Sequence, residues 1–144
     1  MKNIAIIPAR GGSKGIPNKN IKLINGKPLV AWSIEQALNS QSIDEVYVSS
    51  DSKQILDISI EYGAKGIIRP KAISDDLASS ESAWIHAILE LEKRNIFPKL
   101  IIGIQATSPL RHSSDFDEAI QQFYDKELDS LFTSNLIEDF HKLV

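Results

Sequence analysis

Pro8-Ala9-Arg10-Gly11-Gly12-Ser13-Lys14-Gly15-Ile16-Pro17-Asn18-Lys19-Asn20 brings glycines, a hydroxyl and cations together directly after an apolar run, Ile4-Ala5-Ile6-Ile7. Those residue types suit a polyphosphate. Glycines let backbone amides approach phosphate oxygens, and Arg10, Lys14 and Lys19 can neutralise charge that builds on a pyrophosphate leaving group. Residues 10–27 hold five basic side chains, Arg10, Lys14, Lys19, Lys22 and Lys27, and no acidic one. The whole chain has 16 basic and 19 acidic residues; without that stretch the count is 11 against 19, a formal balance of −8. A generally acidic chain thus carries a local anion site. The plain alternative is a solvated loop whose lysines bind nothing specific.

The elements that must position this loop follow from short apolar, β-branched runs at 4–7, 46–48, 66–68, 100–104 and 130–133, which read as strands. Helical spacing recurs between them at 29–38, 52–62, 79–94 and 114–124, with Ser or Asp near the starts of the last two as caps. Runs such as Leu100-Ile101-Ile102-Gly103-Ile104 lack polar alternation. Strands of that kind are covered on both faces, so the expected fold is α/β, an open and mainly parallel sheet with right-handed crossovers. Ligands in such sheets bind beyond the carboxyl ends of the strands. The segments predicted to converge are therefore 9–20, 49–52, 69–82 and 105–111.

Composition narrows the class. The chain has 144 residues, 42% hydrophobic and 24% charged, which suits a single domain, residues 1–144, with a sizeable core. There is no cysteine, hence neither a disulfide framework nor a thiolate metal site. No apolar run approaches the roughly 20 residues needed to span a membrane. Met1-Lys2-Asn3-Ile4 runs straight into a strand pattern, so no cleavable signal and a cytoplasmic location are expected. A pI near 5.6 argues against nucleic-acid binding but leaves room for a single nucleotide.

The loop does not fit the P-loop pattern, because Ile16 and Pro17 stand where glycine would have to precede Lys-Ser/Thr. It also lacks the three-glycine spacing of dinucleotide sites. Ile7-Pro8-Ala9-Arg10-Gly11-Gly12-Ser13-Lys14-Gly15-Ile16-Pro17-Asn18-Lys19-Asn20 instead closely resembles the opening of the CMP-sialic acid synthetases, or acylneuraminate cytidylyltransferases. The resemblance continues through Asn25-Gly26-Lys27-Pro28-Leu29, Val48-Ser49-Ser50-Asp51-Ser52, Arg69-Pro70, Ser74-Asp75-Asp76 and Gln105-Ala106-Thr107-Ser108-Pro109-Leu110-Arg111, and so covers essentially the whole chain.

The resemblance implies a Rossmann-like, three-layer nucleotidyltransferase fold. It implies transfer of CMP from CTP to the anomeric hydroxyl of a nine-carbon acidic sugar, an N-acylneuraminate or a bacterial relative such as legionaminate or pseudaminate, with release of pyrophosphate and use of Mg2+. Carried over by position, Arg10, Ser13, Lys14 and Lys19 meet the triphosphate, with Arg10 and Lys19 catalytic. Ala9, Gly11 and Gly12 line the same site. Asn20 contacts the nucleotide, and Arg69 and Ser80 lie near cytosine and ribose. Gln105, Thr107, Ser108 and Arg111 line the sugar pocket. In-line attack at phosphorus needs positioning and charge neutralisation more than a covalent nucleophile.

Each assignment has a structural rival. Arg69-Pro70 could simply end a strand with a solvated Arg69. The 105–109 stretch could be a plain strand-to-helix connection. Asp75 and Asp76 suit a helix cap or a wet surface as well as a metal. His86 and His141 read as bystanders, and Trp32 and Trp84 as core residues.

The chain is shorter than members of that family, whose later part carries an aspartate pair for Mg2+ and an extension that packs across a dimer. No metal ligand is expected in this chain, a homodimer is expected of the longer protein, and a truncated sheet is expected to self-associate through exposed apolar surface. Ala106 stands where the family usually has proline. The Gly11-Gly12 pair makes eight-carbon Kdo the weaker substrate. Two alternatives stay open: a non-catalytic CTP-binding fragment, and a nucleotidyltransferase for another sugar acid.

Overall fold

Ile4, Ala5, Ile6 and Ile7 are all fully buried, so the first strand has no wet face. It is the centre of the sheet. The computed structural model describes residues 1–74 and 80–134. In chain order the elements are β1 (Lys2–Pro8), β2 (Leu23–Ile24), β3 (Lys27–Pro28), α1 (Leu29–Leu38), β4 (Glu45–Ser50), α2 (Lys53–Glu61), β5 (Lys65–Ile68), α3 (Ser80–Lys93), β6 (Pro98–Gly103) and α4 (Ser113–Asp125). Among the described residues four strands form the main sheet in the order β5-β4-β1-β6. All its neighbours are parallel, with Ile7 opposite Val48, Ile6 opposite Gly103 and Ser50 opposite Ile68.

The period of two along β1 sorts its side chains onto two cores. Ala5 and Ile7 pack with Val30, Ile34 and Ala37 of α1, Ile55 of α2, and Phe116 and Ile120 of α4. Ile4 and Ile6 face the other way, onto Ala87 and Leu91 of α3, with Trp84 against the same cluster. The result is three layers, helices on both faces of a parallel sheet, as the uninterrupted apolar runs require. Each buried isoleucine contributes about 1.5–3 kcal/mol of transfer free energy.

Local signals explain the boundaries. Ser52 caps α2, its Oγ accepting the Ile55 N–H at 3.4 Å. The helix ends at Gly63, whose φ of 94° suits glycine; Ala64 N–H returns to the Ser59 carbonyl at 3.0 Å and Gly63 N–H to Ile60 at 2.9 Å. At α4 the Asp115 carboxylate accepts the His112 N–H at 2.7 Å, so the helix opens at His112 rather than at a serine. Asn25 and Gly26, at φ 50° and 78°, turn the small β2-β3 hairpin, as an Asn-Gly pair favours. Trp84, itself half-buried, packs against the second core, so near Gly103 that a Cβ there would meet its ring at 2.8 Å. Trp32 does not. It is half-buried on the hairpin, its Nε1 donating to the Ile24 carbonyl at 3.1 Å beneath Lys27.

One predicted element is absent. Residues 130–133 form no strand; they run on past α4 with Phe132 87% exposed. A strand needs a ladder partner, and among the described residues these find none, so β-branched and aromatic content alone does not make them one. Asp75, Asp76, His141 and the first predicted residue of α3, position 79, lie outside the described residues.

Candidate functional site

The strand order places the reversal of chain direction between β1 and β6, so the segments leaving those two strands diverge and open a crevice at the carboxyl edge. Ala9 extends the ladder, its N–H donating to the Ser49 carbonyl at 2.9 Å. The chain then leaves the sheet at Arg10. Gly11 N–H donates to Asp51 Oδ1 at 2.9 Å, and a Cβ on Gly11 would stand 2.9 Å from Ser52 Cβ. Only glycine lets the loop rest against the start of α2. Gly12 and Gly15 have open space instead, so their lack of a side chain is not demanded by the surrounding protein.

Asn18, at φ 52°, starts a single 3-10 turn over Lys19–Ile21. That turn buries Asn20, whose Nδ2 donates to the Arg10 carbonyl at 3.0 Å and closes the loop on its own entry. Ser13 Oγ is buried there without a hydrogen-bond partner. Of the five basic residues in 10–27, Lys27 is absorbed structurally, paired with Glu35 and stacked 4.4 Å from the Trp32 ring centroid.

Arg69 enters from β5. Its N–H donates to the Ser50 carbonyl at 2.8 Å, and its side chain is buried, only 6% exposed. The solvated-arginine rival therefore fails. Burial lowers the Arg69 pKa, Asp51 opposes that shift, and Arg10 reinforces it by like-charge repulsion. Arg69 Nε has no partner. A buried, unpaired N–H beside a second guanidinium is costly unless an anion or carbonyl comes to it. Asp51 belongs to the 49–52 segment that directly follows β4, and that place is the signal in the sequence for its role at the loop. Ser80 opens α3 as an exposed residue.

On the other side of β1, Ile104 N–H donates to the Ile6 carbonyl at 3.0 Å before the chain turns outward. Gln105, Thr107 and Ser108 are exposed and Ala106 is buried. Arg111 does something different from its neighbours. Its Nη2 donates to the carbonyls of Gln105 at 2.7 Å and Ser108 at 2.5 Å, and its Cζ lies 5.4 Å from the Phe116 ring. It braces the loop from within.

The structure thus joins Gly11 and Arg69 to Asp51 and Asn20 to the Arg10 carbonyl, and sets Gln105, Thr107 and Ser108 on the neighbouring segment. His86 remains a bystander, 4.0 Å from Glu90. Among the described residues no group of three or more His, Cys, Asp or Glu side chains could hold a metal ion, and the Asp51 carboxylate is engaged by Gly11. Among the described residues no helix is long and apolar enough to cross a membrane.

The three layers and the glycine loop at the carboxyl edge define a Rossmann-like α/β domain. The family described as Cytidylyltransferase matches residues 4–143. The chain belongs to that family. It is 44% identical over 139 residues to the pseudaminic acid cytidylyltransferase of Campylobacter jejuni, covering 96% of this chain and 60% of the relative. The CMP-N,N'-diacetyllegionaminic acid synthase of Legionella pneumophila is 40% identical over 125 residues, 84% of this chain and 53% of that protein. The chain therefore spans little more than half the length of these relatives. A CMP:2-keto-3-deoxy-manno-octonic acid synthetase structure complexed with CTP superposes with a TM-score of 0.75 over 88% of this chain and 49% of its own, at 24% identity, and so shares the fold.

Proposed function

We propose that residues 1–144 form a single nucleotide-binding domain of an enzyme that transfers CMP from CTP to a nine-carbon acidic sugar. The observation that carries this reading is Arg69, buried beside Arg10 with an unpartnered Nε at the edge of a glycine loop. A buried guanidinium N–H without a partner, with a second cation nearby, favours an anion at this edge. In this reading Arg10 and Lys19 neutralise the departing pyrophosphate. Ala9, Gly11, Gly12, Ser13 and Lys14 complete the triphosphate cradle, and Asn20, Arg69 and Ser80 hold the nucleoside. Gln105, Thr107 and Ser108 meet the sugar, with Arg111 supporting them.

The anomeric hydroxyl oxygen attacks the α-phosphorus, a new carbon–oxygen–phosphorus link forms, and the α–β phosphoanhydride bond breaks. Pyrophosphate carries away the bonding pair and the hydroxyl proton passes to solvent. The pseudaminate and legionaminate enzymes among the relatives support a bacterial nonulosonic acid as acceptor, with N-acylneuraminate as the near alternative. Mg2+ is the cofactor this reading assigns to the whole protein, held by side chains other than the described ones. A homodimer in the cytoplasm is the corresponding assembly and location.

A second reading has an observation of its own. The described residues lack a metal cluster, which favours CTP binding without turnover for this stretch of chain. Titration calorimetry with CTP and UTP, followed by pyrophosphate release with pseudaminate and with N-acetylneuraminate, separates the two. CTP-selective binding with release supports the transferase. Binding without release supports the fragment reading, and equal binding of UTP rejects the cytidine assignment.

A further inference from the structure

The peptide plane between Arg10 and Gly11 is held from both sides. Its N–H donates to Asp51 Oδ1 at 2.9 Å, and its carbonyl accepts Asn20 Nδ2 at 3.0 Å. A peptide unit is rigid, so fixing both of its polar groups fixes the direction in which the chain leaves Arg10. Asn20 comes from the far end of the same loop, and Asp51 from the end of the neighbouring strand. The clamp therefore ties the loop to itself and to the sheet at once. It sits where a Cβ built on Gly11 would stand 2.9 Å from Ser52 Cβ, so the plane lies close against the start of α2.

We propose that Asp51 is a positioning residue for nucleotide binding: by accepting the Gly11 N–H opposite Asn20 it locks the Arg10–Gly11 peptide and aims the Arg10 side chain at the triphosphate. This rests on the reading of the loop as a CTP site. Asp51 makes no contact with the nucleotide in this scheme. Its effect reaches the ligand through Arg10, which is read as neutralising the two phosphates that depart.

Two variants separate the clamp from the charge. Asp51→Asn keeps a carbonyl oxygen where Gly11 needs an acceptor, whereas Asp51→Ala removes it. Affinities for CTP and CMP are measured by calorimetry for the protein and both variants, with thermal unfolding alongside. The expected result is a loss of about tenfold or more in CTP affinity for Asp51→Ala, the size of one lost charge-assisted contact. CMP, which lacks the pyrophosphate, changes by less than about threefold, and Asp51→Asn stays within about threefold of the unmodified protein for both ligands. Should the alanine variant fail to fold, Asp51→Ser, too short to reach the amide, replaces it.

Unchanged CTP affinity in Asp51→Ala overturns the proposal while leaving the CTP site standing. So does an equal loss for CTP and CMP accompanied by lower thermal stability, since that marks a merely structural role. An asparagine variant as weak as alanine also overturns it, because charge and not the clamp would then matter. If the unmodified protein binds no CTP, the parent reading fails first and the proposal falls with it.

Discussion

Arg111 spans the turn after β6, its Nη2 reaching the Gln105 carbonyl at 2.7 Å and the Ser108 carbonyl at 2.5 Å. One guanidinium nitrogen thus pins both ends of the segment that carries Gln105, Thr107 and Ser108. Removing it leaves two carbonyls without their charged donor and strips packing from Phe116. Arg111→Ala is expected to cost about 1.5–3 kcal/mol in chemical denaturation. Arg111→Lys should recover little, since an ammonium lacks the planar fork. In steady-state kinetics the loss should raise KM for the sugar with little change for CTP; a pure CTP effect would contradict the placement of the sugar segment.

The glycines of the loop are not equivalent. Gly11→Ala places a methyl group 2.9 Å from Ser52 Cβ, so the loop or α2 must shift. An overpacked contact of this kind costs about 1–3 kcal/mol. Gly12→Ala and Gly15→Ala meet nothing within 4 Å and should stay within about 0.5 kcal/mol of the unmodified stability. Denaturation midpoints of the three variants check this ordering, and nucleotide titration should show Gly11→Ala weakest in CTP affinity.

Charge neutralisation at the loop predicts a binding effect without a folding effect. Arg10→Ala or Lys19→Ala should weaken CTP binding by about 1.5–3 kcal/mol while thermal unfolding stays put. Unchanged affinity by calorimetry would remove the residue from the site.

At the opposite end of the strands, Glu45 is held down to about 2, chiefly by its hydrogen bond to Lys2, with Lys65 and Tyr47 also on its carboxylate. The same arrangement, led by burial, raises Tyr47 to about 12. Because the folded pKa of Glu45 lies below the unfolded carboxylate value of 4.5, its stabilisation is complete above 4.5 and is lost as pH falls toward 2. Glu45→Gln should therefore lose stability at neutral pH and show a shallower decline between pH 4.5 and 2. Melting temperatures across that range, with and without the substitution, test the claim.

Much of this protein could be read from local pattern. Four consecutive apolar residues, Ile4 to Ile7, demanded a strand covered on both faces, and the 29–38 spacing matched α1 end to end. The crowding of glycine and cations in 10–20 marked the loop because phosphate chemistry constrains residue type directly. The 130–133 run carried the same local signal as a real strand yet formed none, because a strand exists only where a neighbour offers its ladder.

Residue type and spacing alone determined the layered α/β class, the parallel sheet and the place of the glycine-rich loop after β1, since burial period and glycine freedom are properties of short segments. Which side chains support that loop was decided by the fold. Arg69 could still have ended a strand in solvent until β5 lay beside β4, where burial left its Nε unpaired. Asp51 and Gly11 meet only because β4 pairs with β1, and Arg111 turned inward because Phe116 and two carbonyls lie within its reach. Those contacts join residues far apart in the chain, and no local preference encodes the distance between them.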